Sequence, residues 1–135
     1  MRIISGKWGG RRISPPANMP HTRPTTDIAK EGLFNILQNR MSFEGIETLD
    51  LFGGTGCISY ELASRGAEKL TIVEKDPVMH AFIGKNAAML GIENLQLLKM
   101  DVFAFLPLVA VEVAVVVIID DDNAVGVDGA SASKL

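Results

Sequence analysis

A chain of 135 residues, 47% hydrophobic and 21% charged, has the composition of one globular domain long enough to bury a core. Its longest apolar run, Val113 to Ile119, falls far short of the ~20 residues that span a bilayer, so a membrane partner is not expected. The net charge of −3 hides a division: residues 1–40 carry seven Lys or Arg against Asp27 and Glu31, a local +5 that leaves −8 for the remainder.

That polarity suits a phosphate-facing arm on an acidic body, although a solvated terminal segment has the same composition. The opening "MRIISGKWGGRRIS" sets two short apolar pieces around a glycine-rich centre, which predicts a β-hairpin with Arg2, Lys7, Arg11 and Arg12 as its charges. Trp8 is then either a platform for stacking a base or a cross-strand anchor. No apolar stretch follows these charges as in a secretory signal, so the expected location is cytoplasmic. The segment "SPPANMPHTRP" holds four prolines and reads as an extended linker.

A helix is predicted over "TTDIAKEGLFNILQNR", capped by Thr26 or Asp27, with Ala29, Leu33, Ile36, Leu37 and Arg40 on its core side. From Ile46 the chain alternates: "IETLDLF" as strand, "CISYELASRG" as helix, "KLTIVE" as strand. Next comes the helix "DPVMHAFIGKNAAML", with Asp76 as N-cap, Pro77 at its first position and Gly91 past its end, followed by the strand "NLQLLKM". The alternation predicts a mostly parallel α/β sheet with right-handed connections. Beyond Leu108 the composition shifts to Val and Ala; Val113 to Ile119 reads as a strand and residues 120–135 as solvated coil.

Ligands of open parallel sheets sit beyond the C-terminal strand ends, where this chain carries Asp50, Glu74 and Asp101. Each has an ordinary structural reading too, as a cap, an ion-pair member or a turn residue. The loop after the first strand lacks both the third glycine of a dinucleotide fingerprint, where Ser59 stands, and the lysine of a phosphate-binding loop. Its form, D-x-F-x-G-x-G from Asp50 to Gly56, suits S-adenosylmethionine instead: an acid for the ammonium and backbone N–H groups for the carboxylate. Cys57, the single cysteine, cannot form an intramolecular disulfide and has no histidine cluster near it; His80 reads as a packed or surface residue, and no metal is expected.

From Met1 to about Leu108 the sequence resembles the bacterial 16S ribosomal RNA guanine-N2 methyltransferases, a Rossmann-like class dependent on S-adenosylmethionine. The resemblance rests on "MRIISGKWGGRRI", "TRPTTDIAKEGLFNIL", "LDLFGGTG" and "VEKD". It implies a mostly parallel sheet with helices on both faces, divided as a basic hairpin and linker (1–24), a cofactor-binding α/β domain (25–119) and an atypical tail (120–135). It further implies that Gly53, Gly54, Thr55 and Gly56 lie against the methionine part of the cofactor, with Asp50 near its ammonium and Phe52 also among the cofactor-binding residues. Glu74, followed by Lys75, would take the ribose hydroxyls; Asp101 and the Val102 N–H would meet adenine; Arg23 and Thr25 would close over the pocket. Arg2, Lys7, Trp8, Arg11 and Arg12 would face 16S rRNA or the small ribosomal subunit.

One part of the family pattern is absent. After its fourth strand the family places Asp or Asn, then Pro-Pro and an aromatic, whereas here Ile119 is followed by Asp120-Asp121-Asp122-Asn123. Asp120 can still accept a hydrogen bond from the target amine, but no proline shapes the turn and no ring follows. The family's later strands are also missing or altered, the pattern of a truncated or changed longer protein, of misassigned tail residues, or of a cofactor-binding relic. The alternative functions are a non-catalytic S-adenosylmethionine and RNA-binding module, and a methyltransferase acting on a DNA base or protein.

Overall fold

In the extended residue Thr26 the side-chain hydroxyl accepts the Ala29 N–H at 3.1 Å and starts helix α1, Asp27–Gln38. A computed structural model describes the chain over residues 1–17, 26–51, 53–101, 115–119 and 124–127. After α1 come β1 (Glu47–Asp50), α2 (Cys57–Ser64), β2 (Lys69–Val73), α3 (Pro77–Leu90), β3 (Leu95–Leu98), β4 (Val115–Ile119) and β5 (Ala124–Val127). Asp76 caps α3 through the N–H groups of Val78 and Met79, and Gly91 closes it in the left-handed conformation that glycine adopts without strain.

The strands form one sheet in the order β3-β2-β1-β4-β5. The first four run parallel, with Leu49 opposite Thr71 on one side and Val116 on the other, while β5 pairs antiparallel to β4. Right-handed connections that step from β1 to β2 to β3 put α2 and α3 on one face. The β3–β4 connection, on which a helix for the second face would fall, lies outside the described residues. Because β2 and β4 flank β1, the direction of winding reverses at β1 and opens a crevice at its C-terminal end.

Two expectations need correction. Residues 120–135 are not all coil, since Ala124–Val127 forms β5: two valines and an alanine hydrogen-bond the otherwise open side of β4. The core side of α1 is also not the one that hydropathy selects. Lys30, Phe34 and Leu37 are buried, whereas Ile36 is 58% exposed and Ala29 and Arg40 face solvent. The buried stripe contains a lysine, which hydrophobic periodicity counts as polar.

Glu61 explains that lysine. It is fully buried on α2, and its two oxygens take Lys30 Nζ at 3.2 Å, Arg65 Nε at 2.9 Å and the N–H groups of Ile4 and Ser5 at 2.8 and 3.1 Å. Lys30 Nζ also donates to the Arg2 carbonyl, and the Arg65 guanidinium lies 4.7 Å from the centre of the Phe34 ring. One carboxylate thus joins α1, α2 and the N-terminal segment.

That segment folds back on itself. Ile3 N–H donates to Arg11 O and Ile13 N–H to Met1 O, Arg2 and Arg12 bridge antiparallel, and Ile3 and Ile13 enter the same core as Phe34, Leu62 and Ile72. Its turn is clipped to the end of α2: Lys7 N–H donates to Ser64 O, Trp8 N–H to Ser64 Oγ, and Ser64 Oγ to Ser5 O. A Cβ on Gly6, whose φ is +84°, would lie 2.0 Å from Ser64 O. Gly6→Ala is therefore expected to lift the turn off α2. Trp8, the single tryptophan, packs against the core, so its emission should shift to the red while far-UV circular dichroism of the sheet and helices persists.

Candidate functional site

The crevice at the end of β1 is built by the loop that leads into α2. Gly53 lies so close to β2 and α3 that a Cβ there would meet Ile72 Cγ2 at 2.5 Å and Ile83 Cδ1 at 3.2 Å. Its N–H donates to Val73 O, and Gly56 N–H returns to Gly53 O at 2.7 Å. Gly54 and Gly56 have φ of +54° and +81°, which a side chain would strain. Gly56 serves as the N-cap of α2 and offers no side chain to the first-turn N–H groups. The loop therefore presents backbone donors and the positive end of a helix dipole.

Glu74, just past β2, holds this loop in place. One carboxylate oxygen accepts the Gly54 N–H at 2.8 Å and the other the Asp76 N–H at 2.9 Å, while its own N–H donates to Leu98 O. One residue thus ties the loop after β1 and the start of α3 through its side chain and the end of β3 through its backbone, and each carboxylate oxygen keeps a further acceptor position. Asp101 follows β3 and lies 3.9 Å from Lys75 Nζ in an exposed pair. Asp50 is buried at the end of β1, where it accepts the Ser59 hydroxyl at 3.2 Å; Thr55 is buried in the loop.

Tyr60 was not singled out by the sequence. Its ring stands under the loop, with Cζ and Oη each 2.7 Å from where a Gly56 Cβ would be. Tyr60 is 1% exposed, yet its hydroxyl has no hydrogen-bond partner among the described residues. Burial pushes its pKa well above the usual phenol range, with Cys57 and Asp50 adding to the shift. The group remains a neutral O–H donor.

On the hairpin, Arg2, Lys7, Arg11 and Arg12 are exposed. Arg2 and Arg12 stand directly opposite each other, and Arg2 is relieved in part by Asp27 at 3.8 Å. Trp8 is half-buried against the core, with Lys7 Nζ 5.0 Å from its ring centre. Arg23, Thr25, Phe52, Val102 and Asp120 lie outside the described residues. Sequence reading also passed over Lys30, Glu61 and Ser64; the available signal was a charge inside "CISYELAS", a helix otherwise made of apolar and small residues, all eight of them buried. Among the described residues no group of three or more His, Cys, Asp or Glu is placed to hold a metal ion, and no helix is long and apolar enough to cross a membrane.

Known proteins share the sequence and the fold of this chain. The family model Cons_hypoth95, described as conserved hypothetical protein 95, matches residues 1–121. The ribosomal RNA small subunit methyltransferase D of Escherichia coli strain K12 is 36% identical over 106 residues, covering 78% of this chain and 52% of that protein. The Haemophilus influenzae protein of the same name is 41% identical over 86 residues, covering 64% and 43%. The solved structure "Putative methyltransferase yhhF from Escherichia coli" superposes with a TM-score of 0.69 at 33% identity, over 78% of this chain and 55% of that one. The chain spans about half the length of the curated relatives it matches. With its Rossmann-like sheet and a family match over nearly its whole length, this chain belongs to the conserved hypothetical protein 95 family, the rRNA methyltransferase family of those relatives.

Proposed function

We propose that the chain binds S-adenosylmethionine at the crevice beyond β1 and belongs to a cytoplasmic enzyme that methylates the N2 amine of a guanine in 16S rRNA. The observation that carries this reading is Glu74, whose carboxylate stands at the strand end beside the glycine loop with acceptor positions still open. The residues present suit such a cofactor: Gly53 lets the loop pack directly on Ile72 and Ile83 beside Glu74, and Asp101 offers an exposed carboxylate two strands away from Asp50. When bound, the cofactor supplies a methyl group on a sulfonium, already a good electrophile.

The protein's part is then positioning. In this assignment Glu74 holds both ribose hydroxyls, with Lys75 beside it, and Asp101 and the Val102 N–H take the edge of adenine. The loop from Phe52 to Gly56 lies along the amino-acid end with Asp50 below it, and Arg23 and Thr25 cover the pocket. Asp120, immediately after β4, accepts a hydrogen of the guanine amine. The extruded base approaches while Arg2, Lys7, Arg11 and Arg12 neutralise RNA phosphates. Arg2 and Arg12 stand opposite one another with Asp27 offsetting only part of their charge, and the positive charge that remains suits a polyanionic partner.

A second reading, a cofactor- and RNA-binding module without catalysis, is favoured by the run Asp120 to Asn123, which lacks the family's prolines and aromatic. Incubation with methyl-labelled S-adenosylmethionine and unmethylated small subunits, rRNA, DNA or protein separates the readings. The proposal expects labelled N2-methylguanosine in rRNA alone. Cofactor binding without transfer to any acceptor would establish the module, and label in DNA or protein would change the substrate class.

A further inference from the structure

Among the described residues the Tyr60 hydroxyl is a buried donor that nothing in the ligand-free fold satisfies. A phenol O–H kept from water without an acceptor costs about 1–3 kcal/mol, yet the ring is held firmly one turn into α2, with Tyr60 N–H donating to Gly56 O. Asp50, at the end of β1, accepts the Ser59 hydroxyl. The hydroxyl lies against Gly56, the uncapped start of the helix, where first-turn N–H groups and the helix dipole already favour a negative group.

Resting on the cofactor reading above, we infer that the Tyr60 hydroxyl donates a hydrogen bond to the carboxylate at the amino-acid end of the bound cofactor. Three features converge on that end of the ligand. Glu74, on the neighbouring strand, suits the ribose hydroxyls, which sets the opposite end of the ligand over Gly56. Asp50 supplies the counter-charge for the ammonium. The carboxylate is then the ligand's one anionic group, and the Tyr60 phenol, held neutral by burial, is a donor without a competing acceptor. The substitution that removes only this oxygen, Tyr60→Phe, leaves the ring packing under the loop intact.

The test is calorimetric titration of the 135-residue chain with two unreactive ligands: S-adenosylhomocysteine, which has the amino-acid end, and 5′-methylthioadenosine, which lacks it. Tyr60→Phe is expected to weaken S-adenosylhomocysteine by about tenfold or more, the loss of one hydrogen bond to a charged group, and to leave methylthioadenosine unchanged. The melting temperature of the ligand-free variant should equal or exceed that of the unmodified chain. Unchanged binding of S-adenosylhomocysteine would overturn the inference, as would equal losses for both ligands or a clear fall in ligand-free stability, each of which assigns the hydroxyl a structural partner instead. An unmodified chain that binds neither ligand would overturn the cofactor reading itself, together with the inference that rests on it.

Discussion

Glu61→Ala is expected to lower the melting temperature by on the order of 10–20 °C, the equivalent of about 3–5 kcal/mol in a domain of this size. The reason is what the substitution leaves behind. Lys30 and Glu61 have side chains 2% and 0% exposed, and Arg65 only 9%. Removing the shared carboxylate strands a buried ammonium and a nearly buried guanidinium, and it takes the acceptor from the N–H groups of Ile4 and Ser5. Paired buried charges contribute little over a well-packed apolar pair, whereas an unpaired one is costly. Lys30→Met combined with Glu61→Leu should therefore recover much of the stability that Glu61→Ala loses, leaving Arg65 to reach solvent. Thermal and urea unfolding of Lys30→Met, Glu61→Leu and the double variant measure the coupling directly. A loss below about 1 kcal/mol for Glu61→Ala would show that Glu61 contributes little and that the isoleucines, Ser64 and Asp27 suffice to hold the N-terminal segment.

Glu74→Ala should reduce affinity for S-adenosylhomocysteine by about a hundredfold or more, since two hydrogen bonds to a charged acceptor disappear together. Part of the effect is local. Without this carboxylate the Gly54 and Asp76 N–H groups lose their acceptor, so the loop and the start of α3 loosen. Glu74→Gln separates the contributions: the amide keeps the volume and one acceptor oxygen, holds the loop in part, and should bind with intermediate affinity. Asp101→Asn should cost less than either, because Asp101 is 45% exposed and its group is well hydrated in the free protein. Isothermal titration of all three variants gives the order Glu74→Ala, Glu74→Gln, Asp101→Asn from largest loss to smallest. The reverse order would move the nucleoside to the β3 side of the crevice.

Much of the fold was legible because its signals are local. Asp76, Pro77 and Gly91 mark the ends of α3 by capping chemistry that acts within a few residues; β1, β2 and β3 appear as short β-rich runs alternating with helices, and β4 as a run of valine and isoleucine. The glycine loop was legible for a related reason. Three glycines within four residues after a strand are explicable only by close approach and left-handed backbone, and Gly53 against Ile72 and Gly54 and Gly56 at positive φ bear that out.

Other features depend on contacts between residues far apart in the chain. The side of α1 that faces inward is decided by Glu61, thirty-one residues beyond Lys30, because a carboxylate buried on another helix makes a lysine the cheapest residue to bury there. Tyr60 reads in sequence as one more apolar helix position; that its hydroxyl ends beside Gly56 without an acceptor emerges only when loop and helix are folded together. The strand β5 forms because β4 offers unpaired backbone groups to a short β-prone stretch. By itself, then, the sequence determined the parallel α/β alternation, the caps and the glycine loop with its carboxylates, because backbone sterics and hydrogen bonding act over neighbouring residues. Tertiary structure decided which charges are buried together and which hydroxyls, Tyr60 among them, are buried without a partner among the described residues, because burial in a low-dielectric core is a property of the assembled layers.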